Sequence, residues 1–200
     1  MKKLSPVLAL SLATCAACGG GATGPNPANP AAPAAGRVIA WTGTAQRTQS
    51  VQIAPLDSTT TWEITNLTWV EDDGEVTGLN GDVLYKIGSG QVKQTIRQVT
   101  GPCLVTGETT FALAPGDGRL VVGRSGYSGR ITRSEVPIQV TGNCGFGNGG
   151  AGIGGDLEVP IDSADDPTRS ATRLRGTKTY MVGPSVHTST WDLTATAWER

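Results

Sequence analysis

The stretch CLVTGETTFAL, Cys103 to Leu113, alternates residue by residue. Cys103, Val105, Gly107, Thr109, Phe111 and Leu113 fall on one face, and Leu104, Thr106, Glu108, Thr110 and Ala112 on the other. Successive side chains of an extended chain point to opposite sides, so a period of two read on β-branched and aromatic residues marks a half-buried strand. The same period recurs outward from this segment, in Val136, Ile138 and Val140, in Val83, Tyr85 and Ile87, and in Trp191, Leu193, Ala195 and Ala197. Val38, Ala40 or Ile39, and Trp41 mark a first strand. Trp62 and Ile64, then Leu67 and Trp69, change phase across Asn66, which predicts a bulge there. No window carries apolar residues at helical spacing, and the turn signals DDG, LNGD, GSG, APGDG and RSG recur at intervals of about 8 to 12 residues.

These signals predict an all-β domain, an antiparallel meander of about ten strands. Candidate strands run over 37–48, 60–70, 76–78, 82–88, 91–100, 103–113, 118–124, 127–133, 136–142, 156–161, 171–182 and 186–198, some of them short or merged. Gly107, Gly129 and Gly176 sit inside strands on faces that otherwise look inward. Glycine there suits tight coiling, so a closed or nearly closed barrel is expected ahead of the alternative, a β-sandwich.

Residues 37–200 are long enough for one domain with a sizeable core. Their charges are mixed and nearly balanced, which argues against a nucleic-acid partner. EDDGE, Glu71 to Glu75, reads as a solvated hairpin turn, because a calcium loop spaces its carboxylates at alternating positions. The preceding segment 19–36, GGGATGPNPANPAAPAAG, has no charge and no aromatic residue, and its prolines at 25, 27, 30 and 33 favour an extended spacer.

The chain opens with Lys2 and Lys3, runs through a short apolar segment from Leu4 to Ala13, and reaches small residues around Cys15 and Cys18. That order is a secretory signal, with an apolar core too short to span hydrocarbon. The cysteine after the small residues resembles the lipobox of bacterial lipoproteins. The resemblance covers residues 1 to 19 and implies that a cysteine becomes the acylated first residue of the mature chain. Cys18, preceded by Ala16 and Ala17, is expected to carry the lipid, with Cys15 the alternative because Leu12 lies three residues before it. Residues 1–17 are then the signal peptide and 18–36 a lipid-anchored tether. The resemblance implies a cell-envelope protein held to the membrane by its lipid anchor, at the outer membrane if the host has two membranes, since Gly19 follows the cysteine.

The remaining cysteines fall in the apolar phase of their strands. Counting the strands between them up and down brings Cys103 and Cys144 to the same end of the sheet, which predicts a disulfide. No metal site is expected, because His187 is the lone histidine and cannot complete a zinc shell with two cysteines. Residues 147–152, GNGGAG, match G-x-G-x-x-G inside a glycine-rich loop without the flanking strand and helix of a dinucleotide site. No serine lies in G-x-S-x-G. Glu63, Glu108, Asp156, Glu158 and Asp192 are the carboxylates available for acid-base work, and spacing alone brings no two of them together. No catalytic residue and no cofactor are expected.

His187 reads as an exposed strand histidine, although its alternation with Ser189 and Trp191 places it on a face that can reach a barrel mouth. Trp41, Trp191 and His187 are the candidate ligand-facing residues. The expected role is a non-enzymatic, structural or interaction module displayed on the envelope, its partner an envelope protein or a small ligand that the sequence does not identify. The alternative is a calycin-like barrel for a small apolar or sugar ligand, and a hydrolase ranks third. An apolar cavity of a few hundred Å³ beside Trp41 or Trp191 distinguishes the second role from the first.

Overall fold

The computed structural model describes residues 37–76, 82–134, 136–143, 150–153 and 155–199. Eleven strands are described, and no α-helix among the described residues. They are β1 (Val38–Ile53), β2 (Leu56–Val76), β3 (Val83–Thr100), β4 (Cys103–Ala112), β5 (Gly118–Val122), β6 (Tyr127–Arg133), β7 (Pro137–Gly142), β8 (Gly150–Ile153), β9 (Leu157–Asp162), β10 (Arg173–Val182) and β11 (Ser185–Trp198). All pair antiparallel in one sheet that curls into a nearly closed barrel with one unsealed seam.

The barrel follows the order β10, β11, β1, β2, β3, β5, β6, β9. A wing of β4, β7 and β8 branches from the far half of β3: Val83–Lys86 pair with β5, whereas Gln91–Thr100 pair with β4. The long strands serve both parts because they bend. Asn66 has φ +51°, a left-handed conformation that asparagine tolerates, and the β2–β3 register slips between Thr65 and Trp69. The inward residues change parity across this bulge, from Trp62 and Ile64 to Leu67 and Trp69 on β2, and from Ile87 to Val92 on β3. The bulge expected at Asn66 is therefore present.

Several expectations are corrected. GSG at 88–90 is not a turn: β3 runs through it, and Ser89 Oγ donates to the Asn66 carbonyl at 3.3 Å, tying the bend of β3 to that of β2. EDDGE is not a turn either, because β2 continues to Val76, which pairs with Val83. There Glu71 meets Arg37 at 2.8 Å and Asp72 meets Lys86 at 2.7 Å, so opposite charges on neighbouring strands hold the run extended. The glycine-rich loop contributes an edge strand, β8, whose Gly150–Ile153 pair with Pro137–Val140.

The core fills the barrel. Trp41, Trp62, Trp69, Tyr85, Ile87, Leu120, Ile131, Leu157, Ile161, Trp191 and Leu193 each expose 2 % or less. Of the five tryptophans only Trp198 is substantially exposed. Gly176 is where β10 is crossed by its incoming connection: a Cβ there would lie 2.6 Å from the Asp165 carbonyl oxygen and would also strike the Trp191 ring.

Among the described residues no ladder joins β9 to β10; β9 packs against β10, β11 and β1 through side chains. Polar groups replace the missing ladder. On one side Arg47, from β1, donates to the Glu158 carbonyl of β9 at 2.8 Å. Further along the seam the connection between β9 and β10 places Asp166 between β6 and β10, where its Oδ2 accepts from Tyr127 OH at 2.6 Å and from the Arg175 N–H at 2.8 Å. Its Oδ1 accepts from the N–H and hydroxyl of Thr168, at 3.0 and 3.2 Å. Four donors thus satisfy a carboxylate that is only 5 % exposed.

Candidate functional site

At one end of the barrel the strand ends converge around a cavity of about 370 Å³. Arg37 lies just before β1, whose start supplies Val38 and Trp41; the start of β3 supplies Val83 and Tyr85, and the end of β5 supplies Val122. The 123–124 loop and the segment 169–171 before β10 form the rest of the rim, and Leu174 completes the wall. Parity explains the floor: Trp41, Tyr85 and Leu174 are inward positions of their strands, so the end of the packed core is the bottom of the cavity. Trp41 and Tyr85 meet edge to face with ring centroids 6.4 Å apart. Tyr85 OH donates to the Val38 carbonyl at 2.6 Å, and burial above all raises its pKa, so the phenol stays neutral and fixes the rim of β1.

The rim is cationic. Arg37 is engaged, its guanidinium bonded to Glu71 at 2.8 Å and Glu199 at 3.0 Å. Arg169 donates through Nη2 to the Arg124 carbonyl at 2.7 Å, which links the two rim segments. Among the described residues neither Arg124 nor Arg169 has a carboxylate partner within salt-bridge distance. Asp82 packs against Gly123 on the same rim. Three other depressions, of about 680, 470 and 450 Å³, are more open: the largest mixes Ile39, Ala40, Val70 and Ala197 with Arg37, Glu71, Lys86 and Glu199, and the smallest lies between β2 and β10 where Ala45, Ile64 and Trp191 meet threonines and charged side chains.

The three candidate ligand-facing residues are not brought together. Trp41 lies in the floor of the cavity. Trp191 sits in the core, where its indole N–H donates to Tyr127 OH at 3.0 Å. His187 is 5 % exposed rather than open to solvent, because β11 turns it inward. Its Nδ1 accepts from Arg47 Nη2 at 2.7 Å, its ring stacks on Tyr180 at 5.0 Å, and Arg47 lies 5.2 Å over the Trp62 ring. Accepting at Nδ1 leaves the proton on Nε2. Burial first, and then the Arg47 charge, hold the imidazole below its ordinary value against the nearby Glu158 carboxylate, which suits a structural member of the seam.

The carboxylates considered for acid-base work are dispersed: Glu108 pairs with Lys93, Asp192 is held by both arms of Arg173, and Glu63, Asp156 and Glu158 are exposed. Among the described residues no group of three or more His, Cys, Asp or Glu side chains is placed to hold a metal. Sequence reading missed Arg47, Asp166, Arg124 and Arg169. Arg47 was within its reach, since it shares the parity of Trp41 and Ala45, whereas the other three lie in connections that period-two patterning does not describe. No known family model matches the chain, and neither a curated protein nor a solved structure shows significant similarity to it.

Proposed function

We propose that this chain is a lipid-anchored envelope protein whose barrel binds a small, largely apolar molecule at the end lined by Trp41, Tyr85 and Leu174. The observation that carries the reading is the recess of about 370 Å³ walled by Val38, Val83, Val122 and Ala171 and closed beneath by the buried side chains of Trp41, Tyr85 and Leu174. Ligand sites of this kind are concave and apolar, with a few polar groups at the edge, and range over roughly 300–1,000 Å³. The recess lies at the barrel end, above the packed core, and on it ligand binding ranks ahead of the structural or interaction role.

The anchor is Cys18, which with residues 1–36 lies outside the described residues; the lipobox-like sequence supports it. Export also accounts for the cysteines. Cys103 opens β4, and Asn143 is bonded beside it: the Leu104 N–H donates to Asn143 Oδ1 at 2.8 Å, and the Asn143 N–H donates to the Leu104 carbonyl at 3.2 Å. Cys144, the next residue, lies outside the described residues. The β4–β7 ladder ends at Val105–Gly142, and the bonds between Leu104 and Asn143 carry the pairing one residue further toward Cys103, which supports a disulfide between Cys103 and Cys144.

Mass spectrometry of the full chain extracted from the envelope of an expressing bacterium tests anchor and ligand together. The expected N-terminus is an acylated Cys18, accompanied by a non-covalent small molecule that is released on denaturation. Ala171→Trp places an indole in the cavity from its exposed rim and is expected to remove the small molecule while leaving the acylation. An unmodified Cys18 contradicts the anchor, and a small molecule retained in full by Ala171→Trp contradicts the site.

A further inference from the structure

We propose that the barrel-end site selects amphiphiles with an oxyanion head, a carboxylate or phosphate, held by Arg124 and Arg169 above an alkyl tail that rests on Trp41, Tyr85 and Leu174. This deepens the ligand-binding reading and rests on it. The cavity is chemically two-ended: its floor is aromatic and aliphatic, and its rim carries three guanidinium groups. They are not equivalent. Glu71 and Glu199 neutralise Arg37, whereas Arg124 and Arg169, which also line the recess, have no carboxylate partner among the described residues.

The bond from Arg169 Nη2 to the Arg124 carbonyl also fixes where the two charges sit. It consumes one of the five N–H donors of Arg169 and holds the 124 loop against the 169 segment. The remaining donors of both side chains are free to close on one anion from two sides, in the forked geometry by which guanidinium groups recognise carboxylate and phosphate. An alcohol offers the same tail contacts without the charge. A cationic amphiphile would bring like charge to the arginines. Asp82 beside Gly123 tempers the positive rim without bonding either arginine, so a single head of one or two negative charges matches it better than a polyanion.

The experiment is calorimetric titration of the full chain carrying Cys15→Ser and Cys18→Ser, so that no attached acyl chain competes. Four probes have eight carbons each: octanoate, octyl phosphate, octanol and octylammonium. Octanoate and octyl phosphate are expected to bind at least about tenfold more tightly than octanol, and octylammonium more weakly than any. In Arg124→Gln/Arg169→Gln the octanoate affinity is expected to fall to that of octanol; thermal melting of this variant verifies its fold. A preference for octyl phosphate over octanoate, or the reverse, assigns the head group within the proposed class. Octanol binding as tightly as octanoate overturns the head-group selection while leaving the apolar site standing. Binding of none of the four overturns the ligand-binding reading itself.

Discussion

Replacing Asp166 by alanine is expected to destabilise the barrel by about 3 kcal/mol, more than any other substitution at a single polar residue of the seam. The carboxylate joins three parts of the chain that no ladder connects: β6 through Tyr127, β10 through the Arg175 N–H, and its own connection through Thr168. Hydrogen bonds to a charged group contribute about 1.5–3 kcal/mol each, and a buried donor left without a partner costs about 1–3 kcal/mol. Alanine leaves two such donors, the Tyr127 hydroxyl and the Arg175 N–H. Burial pushes the Asp166 carboxyl up, but the bonds from Tyr127, Arg175 and Thr168 together outweigh burial and hold it below its ordinary range. Its folded pKa is thus the lower one, so its contribution is complete above about pH 4 and is lost as pH falls through the folded value. Urea unfolding at pH 7 and at pH 3 measures both effects. The difference between wild type and Asp166→Ala should shrink at the lower pH; a loss below about 1 kcal/mol at pH 7 would show that packing alone closes the seam.

The proposed Cys103–Cys144 bond is expected to contribute about 4 kcal/mol, from the chain entropy of a closed loop of about 40 residues. The loop spans β4 to β7, and within it β5 and β6 belong to the barrel while β4 and β7 belong to the wing. Cross-linking its ends joins β4 to β7 and restricts the intervening β5 and β6 in the unfolded ensemble. Cys103→Ser should lower the urea midpoint by the corresponding amount, and reduction of the wild type should give the same change. In the Cys15→Ser, Cys18→Ser chain, unfolded without reductant, no free thiol is expected. Two free thiols in protein made in an oxidising compartment remove the assignment.

Strand identity was legible because one face of each strand is buried and the pleat has a strict period of two. Val83, Tyr85 and Ile87, and Trp191, Leu193 and Ala195, face inward as their spacing implies. Asn66 was legible for the same reason, as a break in parity. What local pattern cannot carry is the distinction between a glycine turn and a glycine bulge. GSG at 88–90 meets the description of either, and it is the pairing of β3 with β2 on both sides that makes it a bend within one strand. His187 illustrates the same limit. No neighbour in sequence offers it a partner, yet β1 delivers Arg47 from 140 residues away. The barrel-end site was legible as far as its floor, through Trp41. Its rim was not, because Arg124 and Arg169 lie in connections whose approach depends on where β5, β6 and β10 end.

The most direct measurement of the central claim, that the end of the barrel above Trp41 is a ligand site, is a crystal structure of the chain with 8-bromo-octanoate, phased for the bromine signal. The bromine is expected inside the cavity against Trp41, Tyr85 and Leu174, with the carboxylate between Arg124 and Arg169. Bromine found only outside this cavity, or absent from it at saturating concentration, would contradict the assignment.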